Sequence, residues 1–249
     1  MTNNRNEWMI QKAMVKRDYS LNMPHMALGG MSESWLFKEF GDIHWTMLSE
    51  GLGQPSSKLA DANGDRLYAT FTRIYYTSSV PIKRFSENEE ITATAKTVRF
   101  GGGVFFSDLM FGNRNKQIKV HIMSSFTKRS NESSNLSLLK GQPVIPPSSP
   151  VPELSELPEF AMAYRQMRSR EEEDFLFECT YDIQPYHDIN GVGLLYFAAY
   201  PTISDLCEMR YFEQSPSWSM EMSTISRDIY FFGNCDMNDK ILYRLHEKK

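Results

Sequence analysis

The sequence predicts an α+β fold built from two tandem modules, and three features carry this prediction. In the first half, one amphipathic helix is followed by several segments rich in Thr, Val, Ile, Phe and Tyr, which favour antiparallel strands. The second half repeats this order in a weaker form. Residues 139–158 are rich in proline and serine, so they cannot continue a helix or a central strand. We therefore expect a first module at 1–138, an extended linker, and a second module at 159–249.

The first module is expected to contain a strand, a helix and then four strands. Residues 12–22 favour the opening strand. Residues 32–48 favour the helix, although Gly41 interrupts the pattern; apolar spacing close to 3.6 is kept by Trp35, Leu36, Phe40, Ile43, His44 and Met47. The later strands are predicted at 67–76, 91–100, 104–111 and 117–128. A long helix wrapped by such an antiparallel sheet is the hot-dog layout.

The second module is expected to follow the same order, after a short solvated helix at 160–174. Two local similarities support a duplication: residues 72–76 resemble 226–230, and 88–91 resemble 238–241. The second copy has fewer strands than the first, so we expect it to be shortened at its C-terminus or completed by a partner. Its predicted elements are a strand at 175–185, a helix at 193–209, and strands at 223–232 and 240–246.

Composition argues against several classes of function. The formal net charge is −4, which provides no basic field for nucleic acid. No apolar run approaches the roughly 20 residues that span a bilayer, so no membrane association is expected. Residues 1–12 lack the apolar middle of a secretory signal, and we expect a cytoplasmic protein. The three cysteines have no CxxC spacing and the histidines are scattered, so no metal site is predicted.

The first candidate site lies where a glycine turn meets the start of the predicted helix. Gly29 and Gly30 allow a tight turn, and the first amides of a helix have no partners within it. Gly30, Met31 and Ser32 could therefore hold a thioester carbonyl and stabilise its oxyanion. Spacing alone favours a simple turn at Gly30 with Ser32, or alternatively Ser34, as helix cap. Ser32 and Glu33 do not form a nucleophile elbow, because the sequence there is not G-x-S-x-G.

The second candidate is Tyr68, on a predicted central strand. Leu67, Ala69 and Phe71 alternate with Tyr68, Thr70 and Thr72, so the three hydroxyl-bearing residues should share one face. A tyrosine hydroxyl beside threonines could donate to an oxyanion or, if activated, attack a carbonyl. The structural alternative is a half-buried strand tyrosine with a hydrogen-bond partner.

Secondary candidates are distributed over both modules. His25 and His44 flank the glycine turn, and either could line a site or serve as a structural hydrogen-bonding residue. Glu33 and Asp42 could act as an acid or base near the helix. Residues of the second module could also contribute, with caps and turns as their alternative role: Asp188, Asn190 and Asp205.

Motifs in both halves are shared with one known family. They are LGGMSESWL at 28–36, GDIHW at 41–45, RLYA at 66–69, ENE at 87–89, GLLYFAAYP at 193–201 and FGN at 232–234. With these motifs the chain resembles the bifunctional acyltransferase/decarboxylase family of the leinamycin-pathway type, which accompanies polyketide biosynthesis. The resemblance implies a double hot-dog fold. It also implies an enzyme that accepts methylmalonyl-coenzyme A, removes carbon dioxide and passes the propionyl group to an acyl carrier protein.

The same resemblance implies that Tyr68 is the key residue, either as a transient acyl acceptor or as a group that organises the thioester. No bound cofactor is expected, because coenzyme A enters with the substrate and phosphopantetheine with the carrier protein. The chemistry suits the residues, since decarboxylation of a malonyl-type thioester creates an enolate that needs hydrogen-bond donors. Backbone amides near Gly30 and Met31 and the Tyr68 hydroxyl would supply them.

Two other functions stay open at this stage. A hot-dog thioesterase or dehydratase acting on carrier-bound chains would place an acid, base or histidine near the central helix, where Glu33, Asp42 and His44 are available. A non-catalytic module that binds an acyl carrier protein would account for the shorter second copy. The acyl unit could be malonyl, methylmalonyl or longer, and a homodimer also remains open.

Overall fold

The computed structural model describes residues 14–28, 30–130, 134–170, 174–213 and 223–246. Within these ranges the predicted α+β class is confirmed, with antiparallel strands around one long helix. Gly29 and the first two residues of the predicted strand 12–22 lie outside the described residues. None of the described helices has the length and hydrophobicity to cross a bilayer.

The first module consists of one long helix and a sheet. The helix is α1 (Glu33–Leu52), and all five predicted strands are confirmed. A small hairpin precedes α1, and a short strand follows the last of the long ones. The strands are β1 (Met14–Ser20), β2 (Met26–Ala27), β3 (Gly30–Met31), β4 (Tyr68–Ser78), β5 (Glu90–Phe100), β6 (Val104–Gly112), β7 (Gln117–Lys128) and β8 (Leu139–Gly141).

The second module follows helix α2 (Glu159–Arg168). It contains a strand, two helices and two further strands: β9 (Phe177–Asp182), α3 (Pro185–Asp188), α4 (Ala199–Phe212), β10 (Ser226–Tyr230) and β11 (Lys240–Leu245). The large sheet has the order β1-β5-β6-β7-β4-β10, with β8 beside β7, whereas β9 pairs with β11 alone. The second module therefore contributes one strand to the sheet of the first.

Helix α1 is bounded by a cap at each end. The Ser32 side chain accepts a hydrogen bond from the Trp35 amide, and Gly53 ends the helix with a φ of 63°. Between these caps, one face packs into the main core against β4 to β7. The fully buried residues of this face include Leu36, Phe37, Phe40, Ile43, His44 and Met47.

Gly41 sits on α1 where the second module packs tightly against the helix. A Cβ atom at this position would lie 2.2 Å from Cζ of Phe197, which comes from the loop before α4. The sequence pattern marks Gly41 as an interruption of the helix, but the helix continues through it. Glycine is required here because the aromatic ring occupies the space of a side chain.

Helix α4 starts later than predicted, at Ala199 instead of 193. The Asn190 side chain accepts hydrogen bonds from the amides of Val192 and Leu194, both at 3.0 Å. Gly193 between them has a φ of 82°. These contacts fold the segment into turns that bring Tyr196 and Phe197 against the core of the first module, and the helix begins only afterwards.

The two modules share a common order of elements, which supports the predicted duplication. In each, a strand, a helix and two strands follow in sequence, and the first and last of the strands pair antiparallel. The same turn precedes β5 and β11: the Ser86 amide donates to Glu89 Oε2 at 3.0 Å, and the Asp236 amide donates to Asp239 Oδ2 at 2.8 Å. Among the described residues, the second module has no counterparts of β6 and β7.

The other predicted similarity, 72–76 with 226–230, falls on β4 and β10, which pair with each other. Ile74 lies opposite Ile229 in this pairing. Arg73 contacts α2 on the outer face of the sheet, whereas Arg227 contacts α1 on the inner face. The two arginines that match in sequence are therefore not equivalent in the structure.

The proline-rich segment lies along the first module and is not free in solution. Its first residues form β8 on the edge of β7. Arg99 then exchanges backbone hydrogen bonds with Pro152 and Leu154, at 2.9 and 2.8 Å. Val151 is buried in a small cluster near the C-terminal end of α1. The chain is extended there as its prolines require, while the module boundaries at 138 and 158 stay predictions.

Helix α2 covers part of the outer face of the sheet. It ends at Arg168, before the predicted end at 174. The Arg73 guanidinium lies between two aromatic rings, 4.0 Å from the centroid of Phe160 and 4.5 Å from that of Tyr230. The Tyr164 hydroxyl donates to the carbonyl of Phe231 at 3.0 Å. These contacts attach α2 to the line where β4 meets β10.

A bulge interrupts β4 at Thr72, where its register with β7 shifts between Phe71 and Arg73. Both Phe71 and Ile74 point into the main core, although they are three residues apart. Because of the bulge, odd-numbered residues face the core before it and even-numbered residues face the core after it. Tyr68 and Thr70 consequently lie on the outer face, as the local alternation predicts.

Candidate functional site

A cavity of about 1140 Å³ opens where β10 stops pairing with β4. The β10 ladder reaches Arg73, and one further bond joins the Phe231 amide to the carbonyl of Thr72 at 2.9 Å. Beyond that point residues 231–234 leave the sheet, and the first four residues of β4 face the cavity. The walls come from both faces of the sheet and from both modules; they include Trp45, Tyr68, Thr70, Phe71, Thr127, Tyr164, Leu195, Phe197 and Asn234.

Tyr68 occupies the end of β4 at this cavity. Its hydroxyl forms no hydrogen bond with the described part of the chain, and the Arg66 guanidinium lies 5.4 Å from its ring centroid. Thr70, two residues along, is held by a hydroxyl contact of 2.9 Å with Thr127, which is the cross-strand neighbour of Tyr68. Tyr68 and Thr70 are thus brought together, with the tyrosine hydroxyl available to a ligand.

The charged residues of the cavity wall are mostly cationic. They are Arg66, Lys140, Arg165 and Arg168, with Asp42 as the one acid among the described residues. None of the four cations forms an ion pair with a described residue, whereas Asp42 pairs with Arg17. In a chain whose net charge is −4, this concentration of cations with no ion-pair partner in the described ranges favours an anionic ligand.

The inner wall of the cavity is aromatic. The rings of Phe71 and Phe197 stand 4.2 Å apart between centroids, and Tyr196 packs edge-on against Phe197 at 4.9 Å. Behind Phe71 lies His44, with 5.5 Å between the two ring centroids. This aromatic layer separates the cavity from the main core.

His44 is held in that core and does not reach the cavity. Its two ring nitrogens contact the hydroxyls of Ser107 and Ser124, each at 2.7 Å, and the residue is fully buried. Burial lowers the pKa of His44 to about 3, so the ring is neutral near pH 7. The structure therefore gives His44 the structural role that the sequence left open.

Glu33 is also held away from the cavity. Its carboxylate binds Arg227 through two hydrogen bonds, at 2.6 and 3.0 Å, and accepts one from the Tyr76 hydroxyl at 2.8 Å. Arg227 also bonds Asp205 on α4 at 2.7 Å. Burial raises the pKa of both Tyr76 and Asp205. This network joins the two modules, and it occupies Glu33, one of the two carboxylates considered for acid–base chemistry.

The start of α1 does not meet Tyr68. Eight residues of β4, roughly 26 Å of strand, separate Tyr68 from Tyr76, which is the residue that contacts Glu33 in the first turn of α1. Gly30 and Met31 pair in the β2–β3 hairpin. The structure thus does not bring the predicted donors into one site with Tyr68.

Close packing and local bonds account for the other residues near the start of α1. Gly30 has a φ of 106°, and a Cβ there would lie 2.3 Å from the backbone of Lys83. Met31 is fully buried and Ser32 caps the helix. His25 accepts a hydrogen bond from the Asn22 amide at 2.8 Å and packs on Trp35. The positions of Gly30, Met31 and Ser32 do not support the oxyanion role predicted for them.

The candidates of the second module divide between the cavity and the core. Asn190 lines the cavity, with its side-chain oxygen engaged by the loop amides before α4. Asp188 is buried and accepts hydrogen bonds from the Tyr181 hydroxyl and the Gln184 amide, at 2.9 and 2.7 Å. Asp205 belongs to the Arg227 network. Only Asn190 therefore lies within reach of a ligand.

Sequence reasoning did not identify several residues that shape the site. Arg165 and Arg168 were placed on a solvated helix, and Phe197 was expected inside α4. The amphipathic pattern of α2, with Phe160, Ala161 and Tyr164 on one side, was a signal that this helix covers another surface. What it covers depends on the path of β10, which no local pattern reveals.

Comparisons with known proteins give a fold and no sequence family. No family model matches the chain, and no curated protein matches it. The solved 12:0-ACP thioesterase from Umbellularia californica superposes with a TM-score of 0.62 at 8% identity, covering 95% of this chain and 88% of that one. A protein described as an oleoyl thioesterase from Lactobacillus plantarum gives 0.62 at 8% identity, with 92% and 82% covered.

An acyl-ACP thioesterase from Bacteroides thetaiotaomicron is similar to a comparable extent, with a TM-score of 0.58, 10% identity, and 96% and 86% of the two chains covered. At these identities the likeness concerns the fold alone. It extends over both modules, since more than nine tenths of this chain is covered in each comparison. The chain therefore has a double hot-dog fold, with its large cavity where the two modules meet.

Proposed function

We propose that this chain processes an acyl group carried as a thioester on coenzyme A or on an acyl carrier protein. More specifically, it decarboxylates a malonyl-type thioester, with methylmalonyl-coenzyme A as the first candidate, and transfers the propionyl group to a carrier protein. The observation that carries this proposal is the Tyr68 hydroxyl, which has no hydrogen-bond partner among the described residues and lines a large cavity whose charged groups are mainly cations.

Tyr68 fits the electronic demand of the reaction. When carbon dioxide leaves, the electrons of the broken C–C bond move into the thioester carbonyl and form an enolate, which then takes a proton at carbon. A hydroxyl that donates to the enolate oxygen lowers this barrier. The Arg66 guanidinium beside the tyrosine ring adds positive charge for the substrate carboxylate or the oxyanion. Attack by the carrier thiol on the propionyl thioester would then release coenzyme A.

The similar solved structures support an acyl thioester as substrate, since two of them are described as thioesterases for acyl groups on a carrier protein. They also favour a second candidate function, hydrolysis to the free acid. Against hydrolysis, Glu33 and His44 are bonded within the protein away from the cavity, and Asp42 is paired with Arg17. A hydrolase would need a base to activate water, and none of these three is free to serve.

The decisive experiment incubates the protein with methylmalonyl-coenzyme A and a phosphopantetheinylated acyl carrier protein, followed by mass spectrometry. We expect a propionyl-loaded carrier and released carbon dioxide. Tyr68→Phe should fold normally and lose at least about 100-fold in rate, as removal of an oxyanion donor does. Tyr75→Phe is the matched control, because this tyrosine lies on the same strand outside the cavity.

Free propionate or free methylmalonate as the main product would show that the protein catalyses hydrolysis and not transfer. An unchanged rate for Tyr68→Phe would show that the tyrosine hydroxyl takes no part in the reaction, whichever product forms. An unloaded carrier that nevertheless binds the protein tightly would favour the non-catalytic carrier-binding module instead.

A further inference from the structure

The first four residues of β4 form an open strand edge inside the cavity. Tyr68 to Phe71 pair with β7 on one side, opposite residues 124–127. On the other side β10 covers β4 only from Arg73 onward, and no described strand takes its place. An unpaired strand edge presents amide and carbonyl groups that need hydrogen-bond partners. The cavity is lined by this edge and by residues from both faces of the sheet.

Cations lie toward both ends of this edge, with Arg66 beside Tyr68 at one end and two arginines of α2 at the other. Arg165 and Arg168 stand at the end of α2, next to Tyr164, whose hydroxyl donates to the carbonyl of Phe231. The amide of Phe231 in turn bonds the carbonyl of Thr72. These two arginines therefore lie toward the Thr72 end of the edge. The Tyr68 hydroxyl lies toward the other end.

We propose, on the basis of the function above, that the open edge of β4 binds the phosphopantetheine arm as if it were an added strand. The arm is an extended chain with two amides, so it can exchange hydrogen bonds with a strand edge in the manner of a bound peptide. Its phosphate lies at Arg165 and Arg168, and its thioester lies at Tyr68. This orientation brings the acyl group to the Tyr68 hydroxyl, for which the described part of the chain provides no hydrogen-bond partner.

Hydrogen bonding and charge both favour phosphopantetheine as the ligand of this edge. A hydrocarbon chain would leave the edge amides and carbonyls of β4 without partners, at a cost for each buried group. A neutral ligand would leave Arg165 and Arg168 without an anionic partner among the described residues. Phosphopantetheine satisfies both needs, and it is the part that coenzyme A and a loaded carrier protein have in common.

The test is hydrogen–deuterium exchange on the full chain, with and without saturating coenzyme A or 4′-phosphopantetheine. We expect peptides containing residues 68–72 to exchange more slowly with either probe, because the arm is shared. Comparable dissociation constants for the two probes would assign the site to a carrier-bound arm, and a tighter constant for coenzyme A would assign it to coenzyme A. Both outcomes support edge binding.

The phosphate end is tested with variants. The double substitution Arg165→Gln and Arg168→Gln should raise the dissociation constant of both probes by about tenfold, and the loss should diminish at high salt. Arg114→Gln is the control, since this exposed arginine lies in the turn between β6 and β7, at the opposite end of the sheet. N-acetylcysteamine thioesters, which lack the phosphate, should bind both variants equally.

Binding of coenzyme A without protection of residues 68–72 would overturn the edge position, and so would a double variant that binds as tightly as the unmodified protein. These results are independent of turnover. Protection without any reaction would leave edge binding in place and refute the proposed chemistry, whereas reaction without protection would do the reverse.

Discussion

Replacing Gly41 by alanine tests how tightly the two modules are packed. The new Cβ would stand 2.2 Å from Cζ of Phe197 and 3.0 and 3.1 Å from its two neighbours in the ring. Carbon atoms in contact prefer about 3.5–4.0 Å, so the ring would have to move by more than 1 Å, roughly the shortfall from that distance. Phe71 stands against the same ring at 4.2 Å and limits its retreat.

Two effects of opposite sign decide the outcome for Gly41→Ala. Alanine favours a helix interior over glycine by about 1 kcal/mol. Overpacking of a tight contact costs about 1–3 kcal/mol, and so short a distance belongs at the upper end of that range. We therefore expect a net loss of about 2 kcal/mol in the free energy of unfolding, measured by urea titration at constant m-value.

A double-mutant cycle isolates the cause. In a Phe197→Ala background the ring is gone, so Gly41→Ala should retain only the helix-propensity gain and stabilise the protein by about 1 kcal/mol. The effect of the same substitution would thus change sign between the two backgrounds. A Gly41→Ala protein that is as stable as the original would show that Phe197 does not fill this space, and the reasoning about module contact would fail.

Two further predictions concern the buried polar groups. Because burial lowers the pKa of His44 to about 3, against about 6.5 in an unfolded chain, the unfolded state binds the extra proton between these values and stability falls as the pH falls. Between pH 6.5 and 5, where most carboxylates stay ionised, the free energy of unfolding measured by denaturant titration should fall by up to about 1.4 kcal/mol per pH unit because of His44. A His44→Gln protein whose stability has the same pH dependence would contradict this. Glu33→Gln leaves the guanidinium of Arg227 with Asp205 alone and should cost about 3 kcal/mol in urea unfolding. Asp182→Asn, which breaks an exposed pair with Lys240, should change stability by less than about 1 kcal/mol, and equal losses from the two substitutions would refute the distinction.

The sequence supported the first module more fully than the second. The strands after α1 are long and rich in β-branched and aromatic residues, so their pattern was sufficient to locate them. The spacing that placed His44 among Leu36, Phe40 and Met47 also predicted its burial, because a residue on the apolar face of a helix belongs to the core. His44 was a site candidate because it follows the glycine turn in sequence, but the structure places it in the core.

Other features depend on contacts between distant segments. Alternation around Tyr68 correctly put Thr70 on the same face, but the bulge at Thr72 reverses the phase beyond it, and nothing in the local pattern marks an inserted residue. The start of α4 was misplaced because Asn190 bonds to backbone amides in a loop instead of beginning a helix. The cavity itself exists because β10 stops at Tyr230, which only the pairing of two remote strands determines.

The junction of β4 with β10 has a consequence for how the chain is made. Its hydrogen-bonded partners Arg73 and Asp228 are 155 positions apart, so at synthesis rates of about 5–20 residues per second β4 waits roughly 8–30 s for β10 to leave the ribosome. During that interval the edge of the sheet is an accessible template for other nascent chains. β4 carries a single charged residue, Arg73, at the middle of its eleven residues. Until β10 is synthesised and Asp228 pairs with it, Arg73 places one charge at the centre of this strand, which discourages edge-to-edge aggregation.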